Sequence, residues 1–185
     1  VDLWASYLES CLHPDHKITA KHALRISNSI KIIAESLFAN CAADEAQHYL
    51  QPLLDQLWNA AEADRFVLVD SLLHVPASLL SQEQLLRSLD CIGVMLSSDS
   101  QKLRIAVLLC MEHLLPQGGQ EAAARIQAHL SSLQLREDST VAYLSCRLCA
   151  GMGQAPAQEP PVPVSQLYLA NLKNAVHWIV KLTNI

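Results

Sequence analysis

One face of a predicted helix near the start of the chain carries positive charge and an amide. Lys17, Lys21, Arg25 and Asn28 are spaced by four, four and three residues, so they share one face of an α-helix. Lysine and arginine attract carboxylates and phosphates, and an asparagine amide both donates and accepts hydrogen bonds. The pattern predicts a surface that binds an acidic or phosphorylated protein segment. The alternative is an ordinary solvated face, which is what charged helix stripes usually are.

A second face of this kind lies further along the chain. Arg136, Thr140, Tyr143 and Arg147 follow one another at intervals of three or four residues. Tyrosine and arginine are among the residue types that most often anchor protein interfaces. We therefore predict that Arg136, Tyr143 and Arg147 also contact a partner, with a solvated face again as the alternative.

The tripeptide His13-Pro14-Asp15, just before the cationic face, resembles the loop signature of J-domain co-chaperones. A J-domain has a basic helix before this loop, but residues 2–12 contain two acidic residues and no lysine or arginine. Proline and aspartate are common in turns that connect helices. We interpret the tripeptide as such a turn.

The sequence predicts neither a metal site nor a catalytic constellation. Cys146 and Cys149 form a C-x2-C pair, but no second pair of ligands is evident at the spacing of a zinc site. His13 and His16 flank Asp15 and have no further ligand in view. The chain contains no G-x-S-x-G nucleophile elbow and no P-loop. We therefore predict a protein without enzymatic activity, metal or cofactor.

The composition indicates a chain that packs against other protein surfaces. Of its 185 residues, 51% are hydrophobic and only 17% are charged, against roughly 25% in an average soluble domain. So little charge predicts contact with preceding repeats of a longer chain or with partner proteins. The net charge of −5 argues against wholesale binding of nucleic-acid phosphates. No apolar run reaches the roughly 20 residues of a membrane span, so we expect no membrane partner.

The predicted location of the protein follows from two features of the sequence. Most of the six cysteines lie within apolar helical runs. We also expect no signal peptide at the start of the sequence. Buried, reduced thiols are typical of cytosolic and nuclear proteins. The predicted location is therefore cytoplasmic or nuclear.

Apolar residues recur at helical intervals along most of the chain, and strand-like alternation is nearly absent. Asp44 with Gln47, and Ser81 with Gln84, match the capping-box pattern of helix starts. Pro52 predicts a kink or a restart within its helix. The predicted helices cover residues 2–12, 17–40, 44–58, 65–75, 82–97, 100–115, 120–133, 139–151 and 166–183.

The helices come in pairs, and the pairs repeat. The second helix of each pair begins near Lys17, Arg65, Lys102 and Thr140, at intervals of 37 to 48 residues. Each of these helices follows a joint with an acidic residue near the helix start, where a negative charge is favourable. Periods near 40 residues are typical of HEAT and armadillo arrays.

Over about residues 1–150 the chain resembles the HEAT/armadillo superfamily. Residues 49–73, YLQPLLDQLWNAAEADRFVLVDSLL, are similar to the HEAT pattern of a Pro- and Leu-rich first helix, an Asp at the turn and an Arg at the start of the second helix. The match is carried by Pro52, Leu53, Leu54, Leu57, Asp64 and Arg65. Residues 23–28, ALRISN, look like the armadillo inner helix, whose Asn often bonds the backbone of an extended peptide. The resemblance implies this role for Asn28.

Together these patterns predict an all-α fold, a right-handed α-solenoid of about four HEAT/armadillo-like hairpins plus a carboxyl-terminal helix. Residues 1–150 form the repeats, 151–164 a Pro- and Gly-rich linker, and 165–185 a helix that packs back as a cap or docks on a partner. The predicted function is a non-catalytic protein-interaction scaffold, the carboxyl-terminal portion of a larger solenoid. Two alternatives stay open: a nucleic-acid-associated solenoid and a regulatory subunit of an enzyme complex.

Overall fold

The computed structural model describes residues 2–12, 20–62, 64–133, 139–154 and residue 166. In these ranges the regular structure is entirely helical, which confirms the all-α prediction there. The α-helices are α1 (Asp2–Cys11), α2 (Ala20–Asn40), α3 (Ala43–Trp58), α4 (Arg65–Leu72), α5 (Gln82–Gly93), α6 (Gln101–Ser131) and α7 (Ser139–Gly151). Two short 3₁₀ helices, Ala77–Leu79 and Val94–Ser97, precede and follow α5. The predicted turn at 13–15, most of the linker and nearly all of the last helix lie outside the described residues.

A glycine divides α6 into two arms that meet at a kink. Gly119 has φ 58° and ψ −143°, which interrupts the helical path between residues 101–118 and 120–131. This agrees with the predicted stop between the sixth and seventh helices. Pro116 lies in the last turn of the first arm, where it shortens the hydrogen-bonded ladder just before the break.

Several helices pack on their second neighbours along the chain, and α3 also contacts its immediate neighbours α2 and α4. α1 contacts α3, and α3 contacts α5, which in turn contacts the second arm of α6 through Asp90 and Arg125. α2 contacts α4, and the first arm of α6 contacts both the end of α4 and α7. We name the first series set A (α1, α3, α5 and 120–131) and the second series set B (α2, α4, 101–118 and α7).

One apolar core extends through all seven helices. Its largest fully buried side chains are contributed by α1 to α6: Leu8, Ile30, Leu50, Leu53, Leu54, Leu57, Leu68, Leu72, Leu85, Leu89, Ile92 and Leu108. Each such side chain stabilises the fold by about 1.5–3 kcal/mol relative to an exposed position. Because the core is shared, no pair of helices has an independent one.

The starts of α5 and α4 test how well local sequence patterns predict where a helix begins. Ser81 Oγ accepts from the backbone N–H of Gln84 at 3.2 Å, and Gln84 Oε1 accepts from the N–H of Ser81 at 3.0 Å. The predicted capping box of α5 is therefore confirmed. Asp64 stands at the N-cap of α4 as predicted, but its side chain makes no capping hydrogen bond.

The predicted capping box at Asp44 and Gln47 is wrong. The N-cap of α3 is Ala42, two residues before Asp44, and its side chain has no oxygen to act as a cap. Gln47 instead donates to the carbonyl of Leu79, so a contact with the 3₁₀ helix before α5 replaces the local one. α3 also continues through Pro52 without the predicted restart, because its leucines on either side are fully buried and hold the helix in place.

The conformation of Gly119 gives the first prediction. A Cβ at this position would meet no heavy atom within 4 Å, so Gly119→Ala tests backbone strain alone. We expect it to lower the free energy of unfolding by about 1–3 kcal/mol, because this φ/ψ region is essentially restricted to glycine. Gly151→Ala is the matched control: its Cβ would lie 4.0 Å from Leu115, and alanine is favoured in a helix. Urea unfolding measures the stability of both variants. If the two substitutions lower the free energy of unfolding equally, glycine is not specifically required at position 119.

Candidate functional site

The structure divides the predicted site residues between two helices of set B. Arg25 and Asn28 are exposed on α2, whereas Tyr143 is half-buried and Arg147 exposed on α7. Lys21 lies in the first turn of α2, and Lys17 and Arg136 lie outside the described residues. Since α4 and the first arm of α6 lie between α2 and α7, the two predicted faces do not form one site.

An exposed isoleucine extends the polar face of α2. Ile32 is 63% exposed, and it follows Arg25 by seven residues and Asn28 by four, which places all three on one face. Ile30 and Ala34 point the opposite way and are fully buried. We name Arg25, Asn28 and Ile32 the α2 strip. The seven-residue spacing was a signal for Ile32 that the sequence analysis missed.

His74, which lies just after α4, contacts Glu35 of α2 and so helps to orient the α2 strip. His74 Nδ1 lies 3.0 Å from a carboxylate oxygen of Glu35. Burial lowers the pKa of His74, as does the charge of Lys31, while Glu35 and Asp70 raise it. The imidazole is therefore neutral at neutral pH, and its N–H donates to the carboxylate. His113 also contributes a lowering effect, and its Nε2 lies 2.8 Å from the carbonyl of Val75.

The cation on α7 already has partners within the fold. Arg147 donates to a carboxylate oxygen of Glu112 on α6, and its guanidinium carbon lies 5.6 Å from the centroid of the Tyr143 ring. A ligand carboxylate at α7 would have to replace Glu112. The α7 face is therefore a weaker candidate than the α2 strip.

Set A carries a polar surface that the sequence analysis missed. The Arg87 guanidinium lies 3.8 Å from the centroid of the Trp58 ring, a cation–π contact between α5 and α3. Beside it, the Gln84 amide donates to the side chains of Gln47 at 3.3 Å and Gln51 at 3.2 Å. A cleft of about 290 Å³ lies among these groups. No local sequence pattern predicts a contact between residues this far apart in the chain.

A larger cleft lies at the end of α5. It has a volume of about 450 Å³ and is lined by Gly93, Val94, Leu96, Ser97, Arg104, His129, Ser132 and Leu133. Arg104 is only 6% exposed and donates to the carbonyl of Ser98 at 2.8 Å, so it holds the turn before α6. The His129 ring packs on Gly93 so closely that a Cβ there would lie 2.3 Å away. These contacts give the cleft a structural role.

The described residues offer little for metal or thiol chemistry. They contain no group of three or more His, Cys, Asp or Glu side chains that could hold a metal ion. Cys146 and Cys149 are buried, and burial raises the pKa of both thiols, which disfavours the reactive thiolate. In the same residues no helix is both long enough and apolar enough to cross a bilayer.

No protein-family model, curated protein or solved structure matches this chain. The HEAT/armadillo resemblance therefore stays a prediction from the motifs.

The lowered pKa of His74 predicts an acid-sensitive joint between α2 and α4. The folded state binds this proton less readily than the unfolded chain, whose histidine pKa is near 6.5. The free energy of unfolding should therefore fall as the pH drops below 6.5 and through the folded-state pKa. His74→Gln should flatten this dependence, and Glu35→Gln should steepen it, because the carboxylate raises the pKa. Urea unfolding between about pH 7.5 and 5 measures the slopes. If both variants show the same dependence of unfolding free energy on pH as the wild type, His74 is not its source.

Proposed function

We propose that this chain is a non-catalytic protein-interaction scaffold built as an α-solenoid of helical hairpins. The observation that carries the proposal is the alternation of contacts, in which sets A and B each stack helix on helix along the chain. Stacked hairpins touch only their neighbours and leave long outer faces free for partners. The HEAT/armadillo resemblance of residues 1–150 supports the same architecture.

The α2 strip is the proposed partner surface. Arg25 has no carboxylate partner among the described residues, and it lies next to an amide and an exposed apolar side chain. In the proposed complex, Arg25 pairs with a carboxylate of an acidic segment and Asn28 bonds the segment's backbone. Ile32 packs against an apolar side chain of the same segment, which removes its exposed surface from water.

Tyr143 and Arg147 contribute less in this proposal. The Arg147 guanidinium is already paired with the Glu112 carboxylate. A partner carboxylate that replaces Glu112 therefore adds only the difference in free energy between two similar ion pairs. Lys17, Lys21 and Arg136 belong to the same two predicted faces and would add to the cationic character of each.

Charge reversal on α2 tests the proposal. We expect Lys21→Glu with Arg25→Glu, and separately Ile32→Asp, to reduce capture of partner proteins by about tenfold or more, which corresponds to roughly 1.4 kcal/mol. The melting temperature should stay within a few degrees, because exposed substitutions change stability by about 0.5 kcal/mol or less. Affinity capture with quantitative mass spectrometry provides the measurement.

Lys102→Glu is the matched control, since Lys102 is an exposed cation at the start of α6 and away from the α2 strip. It should capture the same proteins as the wild type. If all variants capture the same proteins in equal amounts, the α2 strip is not the partner surface.

A further inference from the structure

Arg87 is an exposed cation to which no carboxylate of the described residues is bonded, although Glu83 and Asp90 lie one turn to either side of it on α5. One turn along α5, Asp90 pairs with Arg125, and on α3 Asp55 accepts from the Gln51 amide at 2.8 Å. Among the described residues no carboxylate pairs with Arg87, whose only specific contact is the Trp58 ring. Stacking holds the planar guanidinium in place, which lowers the entropy that it loses when a second ion binds.

Two clefts flank Arg87 along the outer face of α5. The cleft of about 290 Å³ is lined by Gln51, Trp58, Ser81, Glu83, Gln84 and Arg87. A second cleft, of about 510 Å³, is lined by Gln82, Glu83, Leu86, Arg87, Asp90 and Arg125. Both clefts border Glu83 and Arg87, so each lies beside these two side chains. An extended segment that crosses Arg87 would reach groups of both clefts.

Hydrogen-bonding groups along these clefts match a peptide backbone. The linked amides of Gln47, Gln51 and Gln84 supply both donors and acceptors, as each peptide unit does. The indole Nε1–H of Trp58 is buried and has no acceptor among the described groups. Because this N–H is enclosed, Trp58 contributes through its ring, on which the Arg87 guanidinium stacks.

The charge of Arg65 acts on the region around Trp58 together with that of Arg87. Cys91 Sγ donates to the carbonyl of Leu57 at 3.3 Å, directly beside Trp58. Burial raises the pKa of the Cys91 thiol, and the charges of Arg65 and Arg87 both lower it. Both guanidinium groups therefore act on the Cys91 thiol in the same direction.

We propose that Arg87 and Trp58 form a docking point for an extended acidic peptide segment of a partner protein. One carboxylate of the segment bonds the Arg87 guanidinium, whose fork of N–H groups matches a carboxylate in a bidentate manner. The backbone of the segment bonds the Gln51 and Gln84 amides. Glu83 and Asp90 lie one turn to either side of Arg87, and they repel a phosphate dianion more strongly than a carboxylate. Because both side chains repel any anion, we expect a singly charged carboxylate to bind here better than a phosphate dianion.

This docking point extends the proposed scaffold function, but it lies on set A and shares no residue with the α2 strip. The test of one surface can therefore fail while the test of the other succeeds.

A peptide titration of the full chain tests the docking point. The probe is a fluorescein-labelled peptide of about ten residues in which Glu and Ser alternate, the length of a segment that spans both clefts. Its fluorescence anisotropy should rise on binding to the wild type, and a Gln–Ser peptide should not bind. Arg87→Gln should weaken binding by about tenfold or more, as expected for loss of a bidentate pair. Arg87→Lys, which keeps the charge and loses the planar fork, should restore only part of it.

Lys102→Gln is the control, and it should bind the Glu–Ser peptide as the wild type does. Circular dichroism checks that Arg87→Gln stays folded, which its exposure leads us to expect. The proposal is overturned if the Glu–Ser peptide binds no better than the Gln–Ser peptide, or if Arg87→Gln binds it as tightly as the wild type does. It is also overturned if Lys102→Gln weakens binding as much as Arg87→Gln, which would indicate attraction by a general field. Preference for a phosphoserine peptide, for anionic vesicles or for single-stranded DNA would overturn it as well.

Discussion

The fold depends on burying apolar helix faces that no single hairpin can cover. Leu54 on α3, Leu68 on α4 and Leu89 on α5 all belong to one core, and each is at most 1% exposed. Two helices packed on each other leave half of such a surface in water, so the next pair must cover it. The second-neighbour contacts of sets A and B follow from this requirement. In the proposed solenoid, the outer faces that stay in water are the surfaces available to partners.

Specific polar contacts then set the register of the packed helices. The Trp4 indole N–H donates to the carbonyl of Tyr49 at 2.9 Å across set A, and His74 meets Glu35 across set B. A buried or half-buried donor satisfied in one register is left without a partner in another, which is costly. These contacts decide which residues face outward. In this arrangement Arg25 is exposed, whereas Arg125 and Arg147 pair with carboxylates of the fold.

Most features within one or two helical turns could be predicted from the sequence, but the capping box at Asp44 and Gln47 was predicted wrongly. Apolar spacing gave the helices, and Ser81 with Gln84 gave the start of α5, because the capping bonds join residues three apart. Contacts between distant residues could not be predicted. Arg87 and Trp58 are 29 residues apart, and the sequence holds no sign that a guanidinium meets that ring. The pairing of Arg147 with Glu112 was missed for the same reason, and it weakened half of the predicted site.

The central claim is that alternate helices stack within two sets, and a nuclear Overhauser spectrum of the ¹⁵N-labelled chain tests it most directly. The Trp4 indole N–H has a resolved resonance that Trp4→Phe would assign. It should show cross-peaks to Tyr49 and its neighbours on α3, since the donor and acceptor atoms lie 2.9 Å apart. In the same spectrum the Gln84 side-chain amide should show cross-peaks to Gln47 and Gln51. Absence of both sets of cross-peaks in a folded sample would contradict the stacking and the surfaces derived from it.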